Sequence, residues 1–388
     1  MNDFTAEMLG LKDILVKAVR GNEMELFISV ELKRQIQICP ECGTETDRIH
    51  DYRTQCVSDM RSQGRRVYLL LRKRRYACPC CNKRFAEQNE FLAKFHRRTK
   101  RCIENILKGF QRITSVKQIA EENDVSSTTC WRYFSAIHPR TRSLPTVLSL
   151  DEFKGDAEGE KYQSILTNPE KKVILDILPT RYESDLIHYF SQFSTRYSVK
   201  YFVIDMNEHF RRVGKLCFPN ATIVADRYHV VRQVNWAMEN VRKRVQKKLS
   251  EKFRKFFKHS RRLMYRNPRL LTDEERNKLS LMFEIAPELG RAYYLRNKFL
   301  SVMHSKDSWE GKKKLRTWLY LAEYEDIPEF RMCVTAYTNW AQEILNAIDS
   351  PYSNGYTEGC NNKTKVIKRV SFGIRNFNHL RSRILFAA

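Results

Sequence analysis

Apolar positions along this chain change their period twice, and each change marks a different kind of element. Near the start, Phe4 to Val19 reads as a short helix, and Glu25-Leu-Phe-Ile-Ser-Val-Glu-Leu32 as a strand by its partial alternation. Val67-Tyr-Leu-Leu-Leu-Arg72 predicts another strand. Helical spacing takes over at Arg97: Ile103, Ile106, Leu107 and Phe110 share one apolar face of a helix over 97–110. A second helix is predicted over 115–122 and a third over 126–137, with Asn123-Asp-Val125 as a tight turn and Ser126 as the N-cap. Ile119 and Ala120 are expected to pack inward and Val125 to plug the turn, which is a helix-turn-helix pattern. His138-Pro139 ends this element, and 140–145 reads as a linker.

From Val147 the period shortens to that of strands. Segments 147–153, 162–167 and 172–178 predict three consecutive strands, followed by a helix over 183–193, a strand over 200–205, a helix over 207–215, a strand over 221–226 and a helix from Tyr228. Three strands, helix, strand, helix, strand, helix is the order of a ribonuclease-H-like domain. Beyond it lies a mostly helical stretch. Its first part, read as a helix over 241–262, carries many cations, one acid, and Phe253, Phe256 and Phe257; the rest holds Trp309, Trp318 and Trp340 and reads as a helical insertion. Asn354-Gly355 then breaks the chain, and Thr357 can cap a helix that places Glu358, Asn361, Asn362, Lys365 and Arg369 on one face.

The expected fold class is therefore multidomain α/β. An N-terminal region with a zinc ribbon spans 1–92, a helix-turn-helix domain 93–142, and a ribonuclease-H-like α/β domain 143–388 with its helical insertion at about 240–350.

Composition sharpens the choice of partner. The 388 residues are 42% apolar and 12% aromatic, ample for folded cores, yet carry a net charge of +25. No apolar run reaches the length of a membrane span, so nucleic acid is the expected partner, ahead of an anionic membrane surface. The acidic, interrupted N-terminus does not read as a signal peptide, which places the eleven cysteines in a reducing cytosol. There, Cys39-Pro-Glu-Cys42 and Cys78-Pro-Cys-Cys81 read as two metal knuckles completing one four-sulfur Zn²⁺ site through Cys39, Cys42, Cys78 and Cys81. A frame using Cys80 is the alternative, and Cys56 is expected to be a spectator. Four protein ligands leave no open position, so this zinc is structural.

Basic residues with interleaved aromatics dominate 61–112 and lead into the three helices. On the third, Ser127, Thr128, Thr129 and Arg132 are placed to meet DNA bases or phosphates. Lys365, Lys368 and Arg369 on the late helix are candidate phosphate contacts. Asp151 sits in the first strand of the 147–226 segment, and Asp205 and Asp226 each end an apolar strand on the edge where ligands of α/β sheets collect. With Glu358 they can form a cluster for two Mg²⁺ ions acting on a phosphodiester.

Those residues carry a resemblance. Leu150-Asp151-Glu152-Phe153, Ile204-Asp205-Met206 and Asn354-Gly-Tyr-Thr-Glu358-Gly-Cys-Asn-Asn-Lys363 resemble the three acidic motifs of DDE transposases of the ISL-three family of bacterial insertion sequences, and the resemblance covers nearly the whole chain. It implies catalysis by Asp151, Asp205 and Glu358 with Mg²⁺ or Mn²⁺. Ala225-Asp226-Arg-Tyr-His229 resembles the Asp-x-x-His element of related transposases, so Asp226 and His229, with Asn361 and Asn362, are expected to support the site. Asp226 is the reserve for Asp205 as second ligand. The implied activity is binding of terminal inverted repeats, cleavage, and joining of the freed end to target DNA, by a homodimer or larger complex in the bacterial cytoplasm at the nucleoid. The alternatives are a catalytically inactive zinc-dependent DNA-binding regulator and a nuclease of the same fold.

Overall fold

The computed structural model describes residues 9–11, 13–137, 141–258 and 260–387. They form two compact units: residues 9–137 with Ile367–Gly373 and Ala387, and residues 141–366 with Ile374–Phe386.

The first unit is built on strands β1 (Ile14–Gly21), β2 (Glu25–Leu32), β5 (Ile49–Ser62), β6 (Arg65–Ala77) and β7 (Arg84–Ala86), with β3 (Gln37–Ile38) and β4 (Glu45–Thr46) as a separate small hairpin. The main sheet runs β1-β2-β6-β5, and β7 adds to β6. One expectation fails here. The span read as a helix through Val19 is β1 from Ile14 onward, while residues 4–8 and 12 lie outside the described residues. Ile14 and Val16 alternate inward, and Val16 pairs with Val30 across an antiparallel ladder, so β-branched packing overrides the helical spacing.

Helices α1 (Lys100–Gly109), α2 (Val116–Glu122) and α3 (Ser127–Phe134) follow, each entered through a hydroxyl N-cap: Thr99, Ser115 and Ser126. Ile119 and Ala120 are buried as expected, and Phe110 stacks on Phe134 with ring centroids 4.0 Å apart. Gly109 is the packing point of α1, because a Cβ there would meet Ile119 at 2.8 Å. Asp124, in the turn between α2 and α3 with φ of 51°, accepts from Arg61 Nε at 2.6 Å and Arg66 Nε at 2.9 Å, which fixes the turn to the β5–β6 hairpin.

In the second unit, β8 (Val147–Ala157), β9 (Glu160–Asn168), β10 (Val173–Leu178), β11 (Tyr201–Ile204) and β12 (Thr222–Ala225) form one sheet in the order β10-β9-β8-β11-β12. The first three are antiparallel neighbours, whereas β8, β11 and β12 run parallel. Strand periodicity divides the faces. Leu148, Leu150, Phe202, Ile204, Ile223 and Ala225 join the main core with residues of α4 (Glu183–Ser191) and α5 (Glu208–Cys217). The intervening Ser149, Asp151, Val203, Asp205, Val224 and Asp226 therefore look the other way.

The helical remainder comprises α6 (Arg227–Lys248), α7 (Glu251–Phe257), α8 (Arg261–Tyr265), α9 (Asp273–Ile285), α10 (Pro287–Met303), α11 (Ser308–Glu325), α12 (Pro328–Asn339), α13 (Ala341–Asp349), α14 (Gly355–Val370) and α15 (Phe377–Ala387). The cationic helix expected over 241–262 is three pieces: extended backbone at Leu249 and Lys258 separates α6, α7 and α8. Phe257 is buried between them while Phe253 faces solvent. Among the described residues, no helix is long and apolar enough to cross a membrane.

Arg244 clamps the helical layer, reaching Glu329 at 2.6 Å from α6 to α12 and Glu288 at 2.6 Å on α10. Trp318 fills its centre at 1% exposure and donates its indole N–H to the Leu295 carbonyl at 2.8 Å. Trp318→Ala should cost roughly 3–5 kcal/mol; an unchanged midpoint in urea denaturation would show that this layer is not rigidly packed.

Candidate functional site

Strand register sets the acidic site. Ile204 of β11 pairs with Leu150 of β8 on one side and with Ala225 of β12 on the other. The residues that follow, Asp151 within β8 and Asp205 and Asp226 just past β11 and β12, thus stand at one level and on one face of three adjacent parallel strands. Asp151 and Asp226 are buried at 6% and 2% exposure, and the Asp205 side chain keeps 23%.

The start of α14 closes over this face through groups far away in sequence. Asn354 donates Nδ2 to Asp205 at 3.3 Å and its backbone N–H to Asp226 at 3.0 Å, and its side-chain oxygen accepts from Ser149. Thr357 bonds Ser149 at 3.0 Å and Thr167 at 2.8 Å. One turn on, Asn361 Nδ2 donates to Asp151 at 2.7 Å. Helix α14 therefore begins two residues before Thr357, which lies inside the first turn and is not its N-cap: the hydroxyl is drawn into the sheet by Ser149 and Thr167.

Glu358 lies in sequence between the anchored Thr357 and Asn361 and is half-buried; among the described residues its carboxylate makes no hydrogen bond or ion pair, and it is not one of the groups that come within 4.8 Å of one another at Asp205, Asp226 and His229. Asn362 is exposed and accepts from Lys365 at 3.4 Å, so it does not join the acidic cluster. Lys365 and Arg369 are exposed and Lys368 half-buried; in the first unit, Thr128 and Arg132 are exposed, and Ser127 and Thr129 are half-buried at the start of α3. The sequence reading missed Asn354, which it took only as a helix breaker, and Ser149. A lone serine two residues ahead of Asp151 in an apolar strand was the available signal.

Asp226 is fully engaged. It caps α6 by accepting the His229 N–H at 3.2 Å, and it also holds His229 Nδ1 at 2.8 Å. The same Nδ1 lies 2.9 Å from Asp205. Asp205, Asp226 and His229 each place a ligand-type atom within 4.8 Å of the others. Burial opposes an imidazolium, but the hydrogen bonds to the two aspartates outweigh it and raise His229 to about 10. Burial of Asp226 is likewise outweighed, by the hydrogen bonds from His229 and Asn354, and its pKa is lowered. Burial and the Asp205 charge push Asp151 up to about 7, and the Glu152 N–H and the His229 charge only soften the effect. The excess negative charge at Asp151 and Asp205 suits a hard divalent cation.

The cysteine cluster is separate. Cys39 and Cys42 ride the β3–β4 hairpin, and Cys78 and Cys81 follow β6. In each knuckle the residue four after the first cysteine, Gly43 or Asn82, has positive φ and donates its N–H back to that cysteine's carbonyl, at 3.0 and 3.1 Å. Cys39 and Cys81 sulfurs lie 3.6 Å apart, and Cys42 and Cys78 3.5 Å. Four sulfurs about 2.3 Å from one ion would be about 3.8 Å apart, so the cluster fits structural zinc. Cys80 and Cys56 are exposed and outside this cluster.

Comparison with known proteins agrees with this pairing of a cysteine cluster and an acidic sheet. Residues 148–384 match the DDE, ISL3-type family model described as transposase, and residues 36–81 match the model described as the zinc-finger of transposase IS204/IS1001/IS1096/IS1165. The class is thus transposase, which implies a DNA-binding, DNA-cleaving transferase. The chain belongs to the ISL3 family of insertion-sequence transposases. It is 24% identical over 366 residues to the transposase for insertion sequence element IS1001 of Bordetella parapertussis, covering 92% of this chain and 89% of that one. It is 31% identical over 119 residues to the transposase for IS1557 of Mycobacterium tuberculosis, 31% of this chain and 27% of that one. A shorter match, 29% over 100 residues, is to a Lactococcus lactis protein named ATP-dependent protease, covering 26% of this chain and 31% of that one.

The purified protein should carry about one zinc per chain; Cys42→Ser or Cys81→Ser should lose it by metal analysis while Cys80→Ser keeps it. The His229 bracket has a pH signature. Because His229 is raised from 6.5 to about 10, its contribution to stability is whole below about pH 6.5 and disappears as pH climbs through about 10. Melting in EDTA from pH 6.5 to 10 should show a steeper fall for the wild type than for His229→Gln; parallel curves would mean that the bracket does not form.

Proposed function

We propose that this transposase cuts at the terminal inverted repeats of its element and joins the freed 3′-hydroxyl to target DNA, with Asp151, Asp205 and Glu358 as the carboxylates that hold Mg²⁺ or Mn²⁺. The observation that supports the reading is the level placement of Asp151 and Asp205 on adjacent strands, tied by Asn354 and Asn361 to the helix turn on which Glu358 lies in sequence. Asp226 supports the assignment by elimination, since its oxygens serve the α6 cap, the imidazole and the Asn354 N–H. The sheet order, with three antiparallel strands and then two parallel ones, accords with a ribonuclease-H-like catalytic domain at 143–388.

When bound, Mg²⁺ supplies Lewis acidity at the scissile phosphate and acidifies the attacking hydroxyl. The chain's own groups do the positioning. Asn361 holds the Asp151 carboxylate, Asn354 holds Asp205, and His229 keeps its proton between two aspartates, so it orients and does not act as a base. In the N-terminal region, 1–92 serves as a zinc-stabilised ribbon and 93–142 as a helix-turn-helix that sets α3 on DNA through Ser127, Thr128, Thr129 and Arg132. The capped geometry of α2 and α3 and the exposure of Thr128 and Arg132 support this. Lys365, Lys368 and Arg369 hold phosphates. Action on two ends requires at least a homodimer, working on nucleoid DNA in the bacterial cytoplasm.

The test is cleavage of DNA carrying the element's ends. Asp205→Asn, Glu358→Gln and EDTA should each abolish cutting while end binding persists, and Asp226→Asn should slow it about ten- to a hundredfold. A dead Asp226→Asn beside an active Asp205→Asn would reverse the two roles, and failure to join a pre-cut end would leave a nuclease.

A further inference from the structure

Within the first unit, a cleft of about 730 Å³ separates the tip of the β5–β6 hairpin from the turn between α2 and α3. Its walls carry three arginines, Arg61, Arg66 and Arg98, and the hydroxyls of Ser126 and Thr129 at the start of α3. The hairpin is built to aim its pair. Ser62 pairs with Arg65 around a two-residue turn in which Gln63 and Gly64 have φ of 50° and 79°, and a bulge between Asp59 and Ser62 leaves Met60 and Arg61 opposite Arg66. Arg98 is set from the other side. The Ser58 N–H donates to the Arg97 carbonyl at 2.9 Å and the Thr99 N–H to the Ser58 carbonyl at 3.1 Å, so the backbone on both sides of Arg98 is fixed to β5. Asp124 accepts from Nε of Arg61 at 2.6 Å and from Nε of Arg66 at 2.9 Å, so one negative charge faces two positive ones. Among the described residues, the terminal amino groups of Arg66 and the whole guanidinium of Arg98 make no hydrogen bond. Glu121 also lines the cleft, but it is exposed and faces Lys117 at 3.8 Å. Guanidinium groups fixed in place with donors left open form a fork without its anion.

We propose that this cleft seats a phosphate of the end DNA, on the strand bordering the groove that α3 enters, so that the β5–β6 hairpin is a DNA-contacting arm as well as the frame of the zinc ribbon. The inference rests on the reading of α3 as a DNA-meeting helix, which fixes the strand involved. The chemistry is that of a phosphodiester: open guanidinium donors, two hydroxyls and the positive end of a helix converge on one space. Three cations exclude a metal ion from it. A helix-turn-helix places the first residues of its recognition helix at base edges while the preceding helix crosses the backbone, so cations beside the turn between them meet phosphates. Asp124 sets the distance from arm to α3 before DNA arrives, and the phosphate finds its donors already in place. Such a contact supplies affinity and register and leaves the choice of bases to α3.

The experiment measures binding of the full-length protein, without Mg²⁺ so that no strand is cut, to end duplexes in which one phosphate at a time is replaced by an uncharged methylphosphonate. Neutralising a contacted phosphate should cost the wild type about tenfold in affinity. At one such position Arg98→Gln and Arg66→Gln, each weaker than the wild type on the unmodified duplex, should show no further loss, while penalties at the other positions stay. Arg98→Lys should keep most of the affinity and the penalty, because an ammonium still meets a phosphate as a point charge. The Arg66 side chain is exposed, so Arg66→Gln tests the seat even where Arg98→Gln fails to fold. Penalties that all persist in both glutamine variants overturn the proposal. Thr128→Ala combined with Arg132→Ala reports α3 separately: it should lower the preference for end over random DNA and leave the arginine-linked penalty intact. Loss of that preference with no arginine-linked phosphate refutes the arm alone, whereas an arginine-linked phosphate beside an unchanged preference refutes the helix reading alone.

Discussion

Packing carboxylates together is electrostatically costly, and the acidic site is organised around meeting that cost with neutral donors. Asp151, Asp205 and Asp226 are forced to one level by parallel strand register, two of them out of water. Three groups at the start of α14 then work against the repulsion: the Asn354 and Asn361 amides and the Asn354 backbone N–H. Among the described residues, His229 is the cation that bonds the Asp205–Asp226 pair. Asp151, pushed up by burial and by the Asp205 charge, is where a divalent ion would relieve the repulsion that these amides leave.

The two metal chemistries of this chain are kept apart by ligand type. Thiolates on two rigid knuckles favour zinc and close its coordination, while carboxylates and amides favour a hard ion with positions left for water and phosphate. Rigidity is obtained differently as well. The knuckles depend on backbone turns with positive φ at Gly43 and Asn82, and the acidic site depends on side-chain hydrogen bonds between distant segments.

Much of this was legible in the amino-acid order. The apolar strands of the second unit and the two cysteine knuckles are local patterns, and the strands ending in Asp205 and Asp226 were placed to within a residue. What was not legible depends on partners far along the chain. Ile14–Gly21 is a strand because Glu25–Leu32 lies beside it. The break at Leu249 is set by how α7 folds back, with Gln246 donating to the Arg254 carbonyl, and not by any proline or glycine. Asn354 looks like a turn residue until Ser149, Asp205 and Asp226 surround it.

The clip at Asn354 also orders events in time. A ribosome makes Asp151, Asp205 and Asp226 early, and the amides that hold them only after the whole helical layer has been translated. Until then the aspartates lack their clip and, on the assignment proposed above, Glu358 as well, so a nascent chain would have no finished site. On that assignment synthesis itself would act as a safety catch, with cutting competence arriving with nearly the last helix of the catalytic unit.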